Sequence, residues 1–234
     1  MRKLIGIGVG PGAEDLLTLR AVRALREADH IFVPRNGRKT RAFDIIRDIA
    51  GDRDVIFLDF PMGETMDQFY REAFEAIDRA TKDGEVSVLA TLGDGTIYAT
   101  LTEVIDAGRK SDMVFELVPG IPAFLAGING LIETLVEKGE SFLLVDALKD
   151  DEPLHADCIA ILKTREPKKI FDRLRDEGYD AIYLENIETE RWAMTRESDR
   201  CSGRGAYMSL ILARRRPWNT AEILKHTEGR IQLL

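Results

Sequence analysis

Cysteine is scarce in this chain: 234 residues hold two, Cys158 and Cys201. They supply neither the pairing density of a secreted disulfide scaffold nor a Cys-x-x-Cys metal site, so both are expected to be packing or surface thiols. Histidine is almost as sparse, and His30, His155 and His226 stand far apart, which offers no metal cluster and no histidine-based triad. No apolar run approaches the ~18 residues that span a bilayer, and the opening MRKLIGIGVGPG reads as a strand entering a turn rather than a signal peptide. A cytoplasmic protein without membrane or metal is therefore expected. Positive charge is also in deficit: 33 Lys and Arg against 41 Asp and Glu leave −8, which gives no global field for nucleic acid. A polyanionic ligand would need a local basic patch.

What the chain does have is an ordinary globular balance, 44% hydrophobic and 32% charged, and a regular alternation of patterns. Residues 3–9 form a short apolar run ending in glycines, and 16–28 carry Leu17, Ala21, Leu25 and Ala28 at helical spacing. With a strand predicted at 30–34 this completes a βαβ unit, which implies parallel pairing. A helix near 41–50, a strand at 55–58 and a longer helix near 66–81 follow. Thr65 and Gln68 have capping-box spacing, and Met66, Phe69, Tyr70, Ala73, Ile77 and Ala80 make one apolar stripe, read as core. EVSVLATLGDG and MVFELVPGIPAF are further strands that stop in glycine or Pro-Gly turns. Residues 1–130 are thus expected to be an α/β domain with a mainly parallel sheet. Beyond Gly139 the order changes: SFLLVDAL, CIAILK, AIYLEN and AYMSLILARR read as strands around one clear helix at 167–177. Residues 131–234 are expected to form a mixed α/β domain, joined by a short connection near 131–140, with the site in a cleft between the two.

Three strand-ending turns are placed to carry chemistry. Gly8-Val9-Gly10-Pro11-Gly12-Ala13 matches the G-x-G-x-x-[G/A] dinucleotide fingerprint in form. Yet the next strand ends at Pro34-Arg35-Asn36 without a ribose-binding acid, Asp29 lying before it. Glu14 and Asp15 at the head of the following helix disfavour a pyrophosphate and suit a cationic sulfonium. On the residues alone a plain tight turn, a nucleotide-type ligand and NAD(P) all stay open. The second turn, Leu92-Gly93-Asp94-Gly95-Thr96-Ile97-Tyr98-Ala99-Thr100, brings exposed backbone and one carboxylate together, or equally an Asp N-cap after a glycine turn. The third, Val118-Pro119-Gly120-Ile121-Pro122-Ala123, alone says that a strand stops. The run Arg214, Arg215, Arg216 is a nucleic-acid signal outweighed by net charge and the lack of interleaved aromatics.

Taken together and in order, the three turns resemble the tetrapyrrole (corrin/porphyrin) methylase family. GVGPGAEDLLTLRAVRALREADHIFVP is similar to that family's first βαβ unit, LGDGTIYAT to its Gly-Asp-Pro turn and Tyr-Ser-Thr, and VPGIPAFLAG to its Pro-Gly-Ile-Ser-Ser segment. Within the family, Phe60-Pro61-Met62, Ile161-Leu162-Lys163 and Tyr207-Met208-Ser209-Leu210-Ile211-Leu212 resemble the branch that methylates C-20 of precorrin-2 or cobalt-factor II. The resemblance spans almost the whole chain. It implies a two-domain methyltransferase, a homodimer, with S-adenosyl-L-methionine as methyl donor and a precorrin-like tetrapyrrole as substrate. Gly95, Ala99 and Pro122-Ala123 depart from the pattern, two of the changes removing hydroxyls, and residues 190–205 are compressed and polar.

The resemblance also implies a site. Val9, Gly10 and Pro11 form one wall for the cofactor, Gly93, Asp94, Ile97 and Thr100 another, and Pro122 and Ala123 contribute from the third turn. Leu162, Asn186 and Ser209 are expected around the adenine. Asp94 either accepts from the amino group of the methionine moiety or braces its own loop. For the acetate and propionate arms of the ring, Arg35, Arg38 and Lys39 are the first candidates, and Arg191, Arg196 and Arg204 the second. A proton leaving the methylated ring carbon is expected to go to Tyr207, Tyr98 or solvent. Any cobalt belongs to the substrate. Other readings are methylation at a different corrin carbon, a diphthine synthase-like activity, an NAD(P)-dependent oxidoreductase, or a relative that binds without turnover.

Overall fold

β1 (Lys3–Gly8) is buried along nearly its whole length, as a near-continuous apolar run requires of a strand covered on both faces. In the computed structural model, which describes residues 1–35, 40–60, 66–149, 153–201, 208–219, 223 and 230–234, β1 opens a regular alternation. After it come α1 (Leu19–Glu27), β2 (His30–Arg35), α2 (Arg41–Ala50), β3 (Val55–Asp59), α3 (Met66–Ala80), β4 (Val86–Thr91), α4 (Thr100–Gly108) and β5 (Val114–Val118). Together they make the unit Met1–Pro122. Its five strands form one sheet in the order β3-β2-β4-β1-β5, every pair parallel.

Alternate strand residues face opposite sides of the sheet. Ile5, Ile7, Ile31, Val33, Val88 and Ala90 pack with Leu25 of α1 and Ile46 of α2, whereas Leu4, Phe32 and Leu89 pack with Ile77 of α3 and Val104 of α4. One helix pair therefore covers each face. The α3 stripe is core, with Ala73 and Ile77 buried and Met66, Phe69, Tyr70 and Ala80 packed against them. Thr65 lies outside the described residues, and Gln68 donates to Glu72 one turn on at 2.8 Å. The first helix starts later than its spacing predicts. Glu14–Leu16 is a separate 3-10 turn, and Thr18 Oγ1 accepts from Ala21 N at 3.2 Å, capping α1 at Leu19.

The unit Ala123–Leu234 holds α5 (Ala123–Gly130), β6 (Phe142–Val145), β7 (Cys158–Leu162), α6 (Pro167–Asp176), β8 (Asp180–Glu185), β9 (Ala193–Thr195), β10 (Ser209–Arg214) and β11 (Gln232–Leu233). Its six-stranded sheet runs β11-β9-β8-β10-β7-β6 and is mixed: β10 is antiparallel to β7 and β8, while β6 is parallel to β7. α5 belongs to this unit because its glycines admit large neighbours. A Cβ on Gly127 would lie 2.9 Å from Leu184, and one on Gly130 would strike the Trp192 ring.

The basic run is structural. Arg214, whose side chain is 2% exposed, donates to the carbonyls of Thr134 (2.8 Å), Pro217 (2.8 Å) and Arg216 (3.1 Å), pairs with Glu133 (3.1 Å) and stacks on Trp218. Arg215 donates to Leu154 and Glu177 carbonyls, and Arg216 pairs with Glu140. Both cysteines are buried, and burial pushes each thiol up to about 11, with Glu140 adding to the rise at Cys158. Neither is a thiolate at neutral pH.

Candidate functional site at the carboxyl edge of the parallel sheet

A parallel sheet brings the carboxyl ends of all its strands to one edge, and the three turns lie there. β1 leads into α1 on one face, and its neighbour β4 leads into α4 on the other. Where adjacent strands send their connections to opposite faces, the loops diverge and a crevice forms between them. Residues 9–13 and 92–99 meet at that point. Val9 N donates to Thr91 O (2.8 Å), Gly10 N to Gly93 O (3.2 Å) and Gly93 N to Gly10 O (2.8 Å), an antiparallel bridge set on top of two parallel strands. Gly10 and Gly93 have φ of +82° and +69°, values that cost a side chain-bearing residue dearly. The third turn packs on the bridge backbone to backbone. A Cβ on Gly8 would lie 2.5 Å from Gly93 O and 2.6 Å from Gly120 N, and a Cβ on Gly120 would strike the same carbonyl.

Asp94 ties the second and third turns. Its Oδ1 accepts from Thr96 N (2.9 Å) and Thr96 Oγ1 (2.5 Å), and its Oδ2 accepts from Gly120 N (2.9 Å). Burial pushes this carboxyl up, but the Thr96 hydroxyl and the amides of Thr96 and Gly120 outweigh it and hold the group below the usual carboxylate range. The carboxylate is therefore a brace. It is not an N-cap: Ala99 holds that position before α4 and makes no side-chain cap bond. Tyr98, the residue before Ala99, is 47% exposed at φ +46°, a strained conformation for an aromatic residue.

This geometry argues against a dinucleotide. The amides of Val9 and Gly10 that a pyrophosphate would use are already paired, and α1 starts well beyond the glycines, behind its own Thr18 cap. Glu14 and Asp15 stand in the intervening 3-10 turn rather than at the helix head. Residues 9–17, 92–99 and 119–122 contain Glu14, Asp15 and Asp94 but no Lys or Arg. The three turns themselves carry only negative side-chain charge and suit a cationic group. At Gly93 a Cβ would have nothing within 4 Å, so a ligand has room beside the exposed backbone. A sulfonium-bearing methyl donor fits these residues.

In the second unit Leu162, Asn186 and Ser209 come together at one sheet edge. Leu162 pairs with Leu210, Ser209 pairs with Glu185, and Asn186 N donates to Met208 O at 2.8 Å. Two features here have no signal in the sequence patterns. Thr164 Oγ1 lies 2.6 Å from Ser209 Oγ with both residues buried, and Lys163, Asn186 and Glu188 adopt φ of +60°, +50° and +58°. Only Asn186 is of a type that signals such a backbone.

The substrate candidates separate. Arg35 ends β2 and forms a two-pronged ion pair with Asp59 at the end of β3, both contacts 2.7 Å. Arg38, Lys39, Arg204 and Tyr207 lie outside the described residues. Arg196 is held by both oxygens of Asp180 at 2.6 Å, a structural pair. Among the described residues no helix is long and apolar enough to cross a membrane, and no group of three His, Cys, Asp or Glu is placed to hold a metal.

Residues 3–197 match the model of the Tetrapyrrole (Corrin/Porphyrin) Methylases. The chain belongs to this family. Among relatives, this tetrapyrrole methylase is 34% identical to the probable cobalt-precorrin-2 C(20)-methyltransferase of Methanocaldococcus jannaschii over 70% of this chain and 74% of that one. It is 25% identical to the precorrin-2 C(20)-methyltransferase of a Sinorhizobium species over 90% of this chain and 94% of that one. Its fold is shared with the uroporphyrin-III C-methyl transferase of Thermus thermophilus, solved with S-adenyl homocysteine, at a TM-score of 0.70 and 17% identity, covering 95% of this chain and 99% of that one. The tetrapyrrole methylase described here is S-adenosylmethionine-dependent.

Proposed function

We propose that this tetrapyrrole methylase methylates C-20 of precorrin-2 or of cobalt-factor II in cobalamin biosynthesis. The observation that carries the proposal is the 34% identity, over 70% of the chain, to a relative named for that ring position. A second relative named for the same carbon, aligned over 90% of the chain, supports it.

When bound, S-adenosylmethionine supplies a methyl group already activated on sulfur. The chain's own tasks are then alignment and exclusion of water. Val9, Gly10 and Pro11 serve as one wall, Gly93, Ile97 and Thr100 as a second, and Pro122 and Ala123 close the third turn. A carboxylate touching the sulfonium would stabilise the donor more than the transition state, in which the positive charge is already dispersing. Asp94, spent on Thr96 and Gly120, instead sets the shape of the walls while its field keeps the edge attractive to a cation. The proton on the methylated ring carbon would have to leave, and the chain's part would be to offer it an acceptor. Tyr98, half exposed at the same edge, is assigned to help it, with Tyr207 as the other candidate. Arg35, with Arg38 and Lys39, is assigned to the acidic arms of the ring. Assembly as a homodimer belongs to the same reading.

Two measurements test this reading. Titration calorimetry should show binding of S-adenosylhomocysteine and none of NAD(P)H. Incubation with S-adenosylmethionine and precorrin-2 or cobalt-factor II should add the mass of one methyl group to one of the rings. Failure of both rings to gain it contradicts the assignment.

A further inference from the structure

We propose that Asp59 is a positioning residue, holding Arg35 as a preformed receptor for one carboxylate arm of the tetrapyrrole. This rests on the reading of a ring with acidic arms and adds a residue that nothing in the sequence singled out. Arg35 and Asp59 are register partners on the last rung shared by β2 and β3, at the same sheet edge as the three turns. Nε meets Oδ1 and Nη2 meets Oδ2, each at 2.7 Å, so the carboxylate grips one side of the guanidinium plane. Phe57, two residues earlier on β3, lies against that plane with its ring centroid 5.4 Å from the guanidinium carbon. Phe57 is itself set edge-on to Phe43 at 5.3 Å and 84°. The guanidinium is thus fixed by a carboxylate on one edge and an aromatic ring at its face.

Its remaining edge is available. Nη1 has no partner among the described residues, and the Arg35 and Asp59 side chains are 37% and 62% exposed. An exposed ion pair adds little to stability. What it does accomplish is to remove the rotamer freedom of a long cation before a ligand arrives, so that less is lost when a planar carboxylate docks in the fork. The hydrogen bonds that Arg35 donates to Asp59 raise the Arg35 value and lower that of Asp59, so both stay charged at neutral pH. Asp59 also repels an incoming carboxylate, and the proposal holds that its two-pronged ordering of Arg35 outweighs that repulsion.

The test is steady-state methyl transfer to precorrin-2 and to its cobalt complex, with ring KM, kcat and S-adenosylhomocysteine Kd measured separately. Asp59→Asn should raise the ring KM about five- to ten-fold while kcat and cofactor Kd move less than about two-fold, and Asp59→Glu should recover part of the loss. Arg35→Ala should raise KM at least as far, and adding Asp59→Asn to it should raise it no further. With the arms of the ring blocked as methyl esters, the variants should no longer differ from the wild type. An unchanged or lowered KM in Asp59→Asn, or an equal loss with the esterified ring, overturns the proposal. If Arg35→Ala impairs ring binding and Asp59→Asn does not, positioning by Asp59 is wrong and the acidic-ring reading stands. If the wild-type protein binds no ring, both fall.

Discussion

Three hydrogen bonds make Asp94 the residue on which two of the three turns depend. Asp94→Ala would leave the amides of Thr96 and Gly120 without their acceptor, a loss of about 1–3 kcal/mol of stability. It should also weaken S-adenosylhomocysteine binding by about ten-fold or more, since both walls lose their brace; wild-type affinity in calorimetry would remove Asp94 from the site. The pH dependence has a definite sign. Because the folded carboxyl is held below its usual value, its contribution is complete above the unfolded value of about 3.9 and is lost as pH falls through the lower folded one. The difference in unfolding free energy between wild type and Asp94→Asn should therefore shrink between about pH 5 and pH 3 and be flat above it. The carboxylate itself was legible in the sequence, as an acid in a glycine turn. Bracing of its own loop was one of the two roles the sequence offered, and the Thr96 bonds match it; the tie to the third turn was not legible, because Gly120 lies 26 residues away and only the fold brings them together.

At the scale of elements, the junction of Gly8, Gly93 and Gly120 fixes how closely the three turns can approach. Gly120→Ala should cost about 1–3 kcal/mol, because the new methyl group meets the Gly93 carbonyl and backbone must move. Gly84→Ala, where φ is +86° and nothing lies within 4 Å, is the control for backbone strain alone and should leave cofactor binding intact. Thermal unfolding and calorimetry on the pair separate packing from strain; equal loss of affinity in both would contradict the junction. Strands and helices of the first unit were legible because their apolar periods are long and their stops are glycines or Pro-Gly. The start of α1 was misjudged because Leu17 continues the apolar spacing across a 3-10 turn, and Thr18 as the true cap has no separate period to announce it. β9 and β11 span three and two residues, too short for alternation to register.

At the scale of the molecule, two sheets of different kind carry different burdens. The parallel sheet supplies the edge on which three turns converge, and the mixed sheet is pinned by a buried cation. Arg214→Ala would strand the carbonyls of Thr134 and Pro217 and leave Glu133 without its charge partner, which should cost about 3–5 kcal/mol and lower the urea midpoint accordingly. The change of sheet type was visible in the sequence as a change in the order of elements after Gly139, whereas the conversion of a basic run into core scaffolding was not, since charge alone does not tell a solvated arginine from a saturated one. The destination of the methyl group decides the assignment. The most direct measurement is carbon NMR of the tetrapyrrole formed from precorrin-2 or cobalt-factor II and S-adenosylmethionine labelled at its methyl carbon: the account predicts a single new methyl on C-20, and a label on any other ring carbon, or none on either ring, would contradict it.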